Sequence, residues 1–173
     1  MAKREALREL QSRLAVRLRE AAGEARVAAW LAVEVAGHGL LLPLAGAGEI
    51  FPGASVKPVP HTQTWFLGVA NLRGGLHGVV DLALFLGLAG AHGGTDALLL
   101  VALNPVLGSA SAVRVHRLAG LRSAEQLARE PDDGAARPAF AGARYRDEQQ
   151  RVWQEIDLAV LSRHEQFLAI AAA

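Results

Sequence analysis

The chain contains no cysteine, so disulfides and thiolate metal sites are excluded. Lysine is almost missing as well: Lys3 and Lys57 stand alone, and arginine supplies the rest of the positive charge. Neither sign of charge is in excess. A formal net charge of +1 gives no bulk electrostatic case for nucleic acid as a partner. No apolar run approaches the roughly 20 residues that a membrane-spanning helix needs. The charged N-terminus lacks the apolar core of a signal peptide. These absences point to a cytoplasmic protein that reaches a membrane only through a partner.

Catalytic patterns are also missing. The six histidines, His38, His61, His77, His92, His116 and His164, show no H-x-x-x-H or H-E-x-x-H spacing, and most stand beside Gly or Pro. A zinc site needs three or four convergent ligands, so these read as solvated loop histidines. Gly46-Ala47-Gly48 and Gly74-Gly75 are not followed by Lys-Ser/Thr and are not phosphate loops. Ser55, Ser109, Ser111, Ser123 and Ser162 lack a nucleophile-elbow context. Asp132-Asp133, between Pro131 and Gly134, reads as a solvated loop. No base, nucleophile and orienter assemble, so the chain reads as a non-enzyme with no cofactor and no metal.

What is present is a core. Hydrophobic residues make up 51% of 173, which suits one domain or two small fused subdomains. Residues 3–22 carry Leu7, Leu10, Leu14, Leu18 and Ala21 at helical spacing and predict an amphipathic helix, closed by Gly23. Residues 27–35 alternate as a half-buried strand. Gly37-His38-Gly39 then reads as the turn into a second strand, Leu40 to Leu42, with Pro43 limiting its pairing. Residues 45–48 suggest one helical turn. Glu49-Ile50-Phe51 is extended and is broken by Pro52-Gly53. Val56 and Val59, flanked by Pro58 and Pro60, suit an edge strand or a polyproline-like segment.

Residues 97–103 form an apolar run that predicts a strand buried on both faces, and Asn104-Pro105 turns the chain. Residues 109–118 read as the returning strand. Residues 89–94 and 130–138 read as loops, the second as the most mobile part of the chain. A last hairpin is predicted over 140–146 and 151–156. Asp157 caps a helix from Leu158 to about His164, with Phe167, Leu168 and Ile170 anchoring the end.

The stretch from Trp65 to Leu88 organises the rest: W-F-L-G-V-A-N-L-R-G-G-L-H-G-V-V-D-L-A-L-F-L-G-L. Gly74 and Gly75 permit a tight turn or a bulge between its two strands. Asp81 is placed to cap a short helix, Leu82 to Leu86, which Gly87 closes. Gly68-x-x-Asn71-Leu72-Arg73-Gly74, followed by Val79-Val80-Asp81-Leu82 and Leu86-Gly87-Leu88, resembles the signature of CheW-like chemotaxis coupling proteins. The flanking text, L-L-L-P-L-A-G-A-G-E-I-F-P and V-P-H-T-Q-T-W-F-L-G, is similar to the PilI-type members that serve twitching motility. Gly78 stands where such proteins usually have proline, and His116 where an aspartate is common.

The resemblance implies a mainly β fold of two small five-stranded SH3-like barrels. The CheW-like domain would span 24–173 after the N-terminal helix at 1–23, with subdomains near 26–81 and 82–173 and termini that can cross over. It implies an adaptor that binds the regulatory domain of a CheA-like histidine kinase and the cytoplasmic tip of a chemoreceptor, with other CheW-like domains as further partners. The residues it points to for partner binding are Glu49, Trp65, Val69, Asn71, Arg73 and Gly74. Gly68, Asp81 and Gly87 hold the motif's shape. A Glu49–Arg73 ion pair is expected to pin the Glu49 segment to the signature strand and so shape the receptor-facing groove, worth about 3 kcal/mol if partly buried and less if water reaches it. Competing readings are an array component without receptor binding and a small-ligand sensor on the same scaffold.

Overall fold

The computed structural model describes residues 28–88 and 98–172. The expected N-terminal helix and the loop at 89–94 lie outside the described residues. Within them the chain is mainly β, with eleven strands in two sheets and three one-turn helices. The strands are β1 (Ala28–Val35), β2 (His38–Pro43), β3 (Ala47–Pro52), β4 (Phe66–Leu72), β5 (Gly75–Asp81) and β6 (Leu99–Leu103). They continue with β7 (Ser111–Val115), β8 (Arg117–Ser123), β9 (Ala128–Arg129), β10 (Ala141–Arg146) and β11 (Val152–Ile156). The helices are α1 (Leu82–Phe85), α2 (Leu158–Leu161) and α3 (Glu165–Leu168).

One sheet has six strands in the order β8-β1-β2-β11-β10-β9, the other five in the order β3-β6-β7-β5-β4. The sixth strand, beyond the expected five, is the two-residue β9. The strands are not divided at Asp81. The middle of the chain, β3 to β7, builds one sheet, and both ends of the described chain, β1–β2 and β8–β11, build the other. β11 lies parallel to β2, and β5 parallel to β7.

Side-chain alternation sorts the core into three layers. Trp30, Ala32, Leu41, Leu127 and Trp153 fill one cluster within the six-stranded sheet. Ala70, Leu72, Val79, Leu100, Ala102 and Ala112 fill a second within the five-stranded sheet. Between them, Leu31, Val33, Val35, Leu40 and Leu42 of one sheet meet Val80, Val101, Leu103, Val113 and Val115 of the other. β1 is therefore buried on both faces rather than half-buried, because each face belongs to a different layer. Each such Val or Leu contributes roughly 1.5–3 kcal/mol on burial. This third layer is what joins the two sheets into one body.

The turns depart from expectation in instructive ways. The β1–β2 turn is Ala36-Gly37, both at positive φ, and His38 already pairs with Val35. Residues 44–46 are a turn and not a helix, closed by the Gly46 N–H on the Pro43 carbonyl, so Ala47 and Gly48 belong to β3. Residues 109–118 are two strands in different sheets, and the chain crosses over at His116. Residues 55–59 make only a bridge, Lys57 to Val69. The predicted C-terminal helix breaks after Leu161 and resumes as α3. Phe167 anchors the end, but Leu168 and Ile170 are exposed; the Ile170 carbonyl instead accepts the Gln63 N–H.

Residues 130–138 lack regular structure but are strapped down: Glu130 receives Arg146, and Asp133 receives Arg137 and Arg144.

Candidate partner-binding surface

Signature strand β4 and its return β5 meet in a two-residue turn made by Arg73 and Gly74, not by Gly74 and Gly75. Arg73 has φ 49° and Gly74 φ 84°, the paired positive values that match the twist of a tight hairpin. Asn71 Oδ1 accepts the Gly74 N–H at 2.8 Å and holds the turn closed. An arginine at positive φ is strained, and the hydrogen-bonded turn imposes it.

That strain presents the guanidinium. Arg73 Nη2 lies 2.5 Å from Glu49 Oε1, so the expected pair forms. β3 and β4 are the two edges of the five-stranded sheet, and the pair spans them. The sheet has therefore curled until its edges face each other. The Lys57–Val69 bridge completes the closure with two backbone hydrogen bonds of 2.8 Å. Gly68, at φ 128°, permits this approach. A Cβ there would overlap the Lys57 carbonyl oxygen and stand 2.7 Å from Pro58 Cα.

Water reaches the pair: the side chains are 76% and 42% exposed. Water screens it, so Arg73→Ala should change unfolding free energy by less than about 1 kcal/mol, read by urea titration. A structural pin of about 3 kcal/mol, as expected of a half-buried pair, does not fit this geometry.

Val69 and Asn71 share the strand face that points away from the barrel interior, where Ala70 and Leu72 are packed. Asn71, Arg73 and Gly74 are exposed, and Val69 is half-buried. Leu76, paired opposite Asn71, is 67% exposed and adds an apolar element that the sequence reading passed over. Trp65 does not join this surface. It is buried and meets the Phe85 ring edge-on at 5.2 Å, with Phe85 in turn against Phe140 and Phe167.

Asp81 caps α1 by accepting the Ala83 and Leu84 N–H groups, and Gly87 follows the helix at φ 64°. A second role was not foreseen. Asp81 Oδ2 accepts Arg114 Nη1 at 3.0 Å, with side chains only 4% and 11% exposed. The signal was a lone arginine between Val113 and Val115 of an apolar strand, which requires a carboxylate partner.

A second carboxylate hub sits at the crossover between the sheets. Glu34 accepts Arg117 through both of its oxygens, at 2.8 and 2.5 Å, and also accepts Arg151. These hydrogen bonds, from Arg117 first and Arg151 second, outweigh burial and lower its pKa from 4.5 to about 2. The Glu34 carbonyl takes the His116 N–H, and His116 Nδ1 accepts the Ala36 N–H. A depressed folded pKa means stability that is full above about pH 4.5 and lost as pH falls through about 2. Unfolding free energy should therefore decline across that window, and Glu34→Gln should flatten the decline. An unchanged slope in the variant would show that Glu34 is not the titrating group.

Comparison with known proteins follows the same geometry. The family model described as "CheW-like domain" matches residues 29–166. The chain belongs to the CheW-like domain family. Among solved structures, this chain is similar to the scaffolding protein TtCheW from Thermoanaerobacter tengcongensis, with 19% sequence identity and a TM-score of 0.67. The likeness covers 80% of this chain and 94% of that one. No curated protein matches the sequence. The double curled sheet is thus the CheW-like fold. No helix among the described residues is long and apolar enough to cross a membrane.

Proposed function

We propose that this CheW-like protein is a non-catalytic adaptor that couples a methyl-accepting chemoreceptor to a CheA-like histidine kinase, in signalling that controls type IV pili and twitching motility. Family membership supports an adaptor role in chemotaxis-type signalling. The PilI-like flanking text favours the pilus branch over flagellar chemotaxis.

The observation that carries the reading is the exposed Glu49–Arg73 pair on the closed edge of the five-stranded barrel. A solvated ion pair adds little stability. Here it is nevertheless presented by a strained backbone in a turn fixed by Asn71. Strain kept without a stability gain suits a surface shaped for a partner. Arg73, Asn71, Val69 and Gly74, with Leu76, form the receptor-facing patch. The kinase's regulatory domain docks elsewhere on the double barrel, and further CheW-like domains join through the same fold. Recruitment to receptor arrays follows from receptor binding.

Arg73→Gly is the variant of choice. Glycine adopts φ 49° without strain, so the fold should be as stable as the wild type, or slightly more so. Receptor-fragment binding should nevertheless weaken. A stable Arg73→Gly protein that binds the receptor fragment normally would remove the patch from the account.

A further inference from the structure

Among the described residues, β8 forms one outer edge of the six-stranded sheet and pairs only with β1. Together with Glu34 of β1 and with Asp147, Gln149, Arg151 and Trp153 of the β10–β11 hairpin, it lines a cleft of about 500 Å³. The β8 wall includes Arg117 and Arg122. The cleft therefore gathers three guanidinium groups and two carboxylates.

Both carboxylates are committed. Glu34 holds Arg117 and Arg151, and Asp147 accepts the Trp153 indole N–H at 2.8 Å and the Arg151 backbone N–H at 2.9 Å. Arg122 is different. It donates to the carbonyl of its neighbour Leu121, and its charge acts on Asp147 across the cleft: against burial, and after the Trp153 and backbone hydrogen bonds, it helps to hold that carboxyl below its ordinary pKa, without a hydrogen bond between them. Its guanidinium carbon lies 5.7 Å from the centre of the buried Trp153 ring, which Arg151 also covers at 4.6 Å. Stacking on an indole fixes the plane of a guanidinium while leaving its N–H groups available for a carboxylate.

Two features say what would lie there. An open strand edge recruits an extended segment through backbone hydrogen bonds. Leu121, 54% exposed on the same strand, offers that segment an apolar contact. A second copy of β8 is disfavoured, because antiparallel pairing would bring Arg117 and Arg122 against like charges.

We propose that the β8 edge is a docking site for an extended acidic segment of a protein partner, which adds as a strand beside β8 and places a carboxylate on Arg122. The site is separate from the Glu49–Arg73 patch and does not depend on the receptor and kinase reading.

The test uses the full chain labelled with 15N, at low ionic strength, titrated with a short synthetic peptide of alternating Glu and Val. Saturable shifts are expected for the β8 amides from Leu118 to Leu121 and for the Trp153 indole N–H. The counterpart peptide with Gln in place of Glu should bind at least about tenfold more weakly. Arg122→Gln, checked for an otherwise unchanged spectrum, should lose about tenfold for the Glu peptide, and Arg122→Lys should recover part of it. Absence of saturable shifts, equal binding of the Gln peptide, or indifference to Arg122→Gln would each overturn the proposal. Inorganic phosphate matching the peptide's effect would show a small-anion site and overturn it too. So would concentration-dependent β8 shifts without peptide, which would assign the edge to a second copy.

Discussion

Gly68→Ala is expected to cost about 4 kcal/mol or more, enough to leave much of the protein unfolded at room temperature. Three effects act together. Alanine at φ 128° is strained by about 1–3 kcal/mol wherever it occurs. The added Cβ overlaps the Lys57 carbonyl, so the Lys57 segment must move away. Moving it breaks both backbone hydrogen bonds between Lys57 and Val69, each worth about 1 kcal/mol. The barrel then opens along the line where its edges meet. Gly53→Ala is the control: it shares a positive φ of 70° but has open space around it, so it carries strain alone. Urea unfolding of the two variants should separate them clearly. A Gly68→Ala protein no worse than Gly53→Ala would mean that the Lys57–Val69 closure does not hold the barrel.

The second large effect is expected at Asp81 and Arg114. Arg114→Met leaves the Asp81 carboxylate buried without its guanidinium, which should cost about 3–5 kcal/mol. Asp81→Asn keeps an acceptor for the α1 N–H groups but takes the carboxylate away from Arg114, which should also destabilise. The double variant buries no lone charge. It should therefore be more stable than the sum of the single losses predicts, by a clear margin in a double-mutant cycle. Simple additivity would show that the two side chains do not interact in solution. The contrast with Glu49–Arg73 is one of solvent. The two pairs have comparable geometry, but water reaches one and is excluded from the other.

This contrast marks where the sequence stops being readable. Strand positions followed from alternation and from Gly and Pro punctuation, because those signals are local. The caps at Asp81 and Asp157 were legible for the same reason: each carboxylate accepts N–H groups two and three residues ahead. The choice between core and exposed edge for Trp65 and the exposure of Arg73 were not settled by the sequence, although core was the commoner expectation for the tryptophan. Both depend on which segments later fold over them: α1 and Phe85 cover Trp65, and nothing among the described residues covers the β4–β5 turn. The turn itself was misplaced by one residue. Two glycines pointed to Gly74-Gly75, yet Asn71 fixes the register so that an arginine takes the left-handed position. The assignment of strands to sheets was also out of reach. An apolar strand such as β7 does not reveal that its continuation, β8, belongs to another sheet. Glu49 was paired with Arg73 through the resemblance, and the structure supplies the reason: the two edges of one curled sheet meet there.

The central claim is that one folded chain binds a receptor and a kinase through separable surfaces. It is tested most directly by paired pull-downs of the wild type and Arg73→Gly. The baits are the cytoplasmic tip of the chemoreceptor and the regulatory domain of the CheA-like kinase from the same organism. The account predicts that the wild type captures both, and that the stably folded Arg73→Gly protein keeps the kinase domain and loses most of the receptor fragment. A folded wild-type protein that captures neither partner would contradict it.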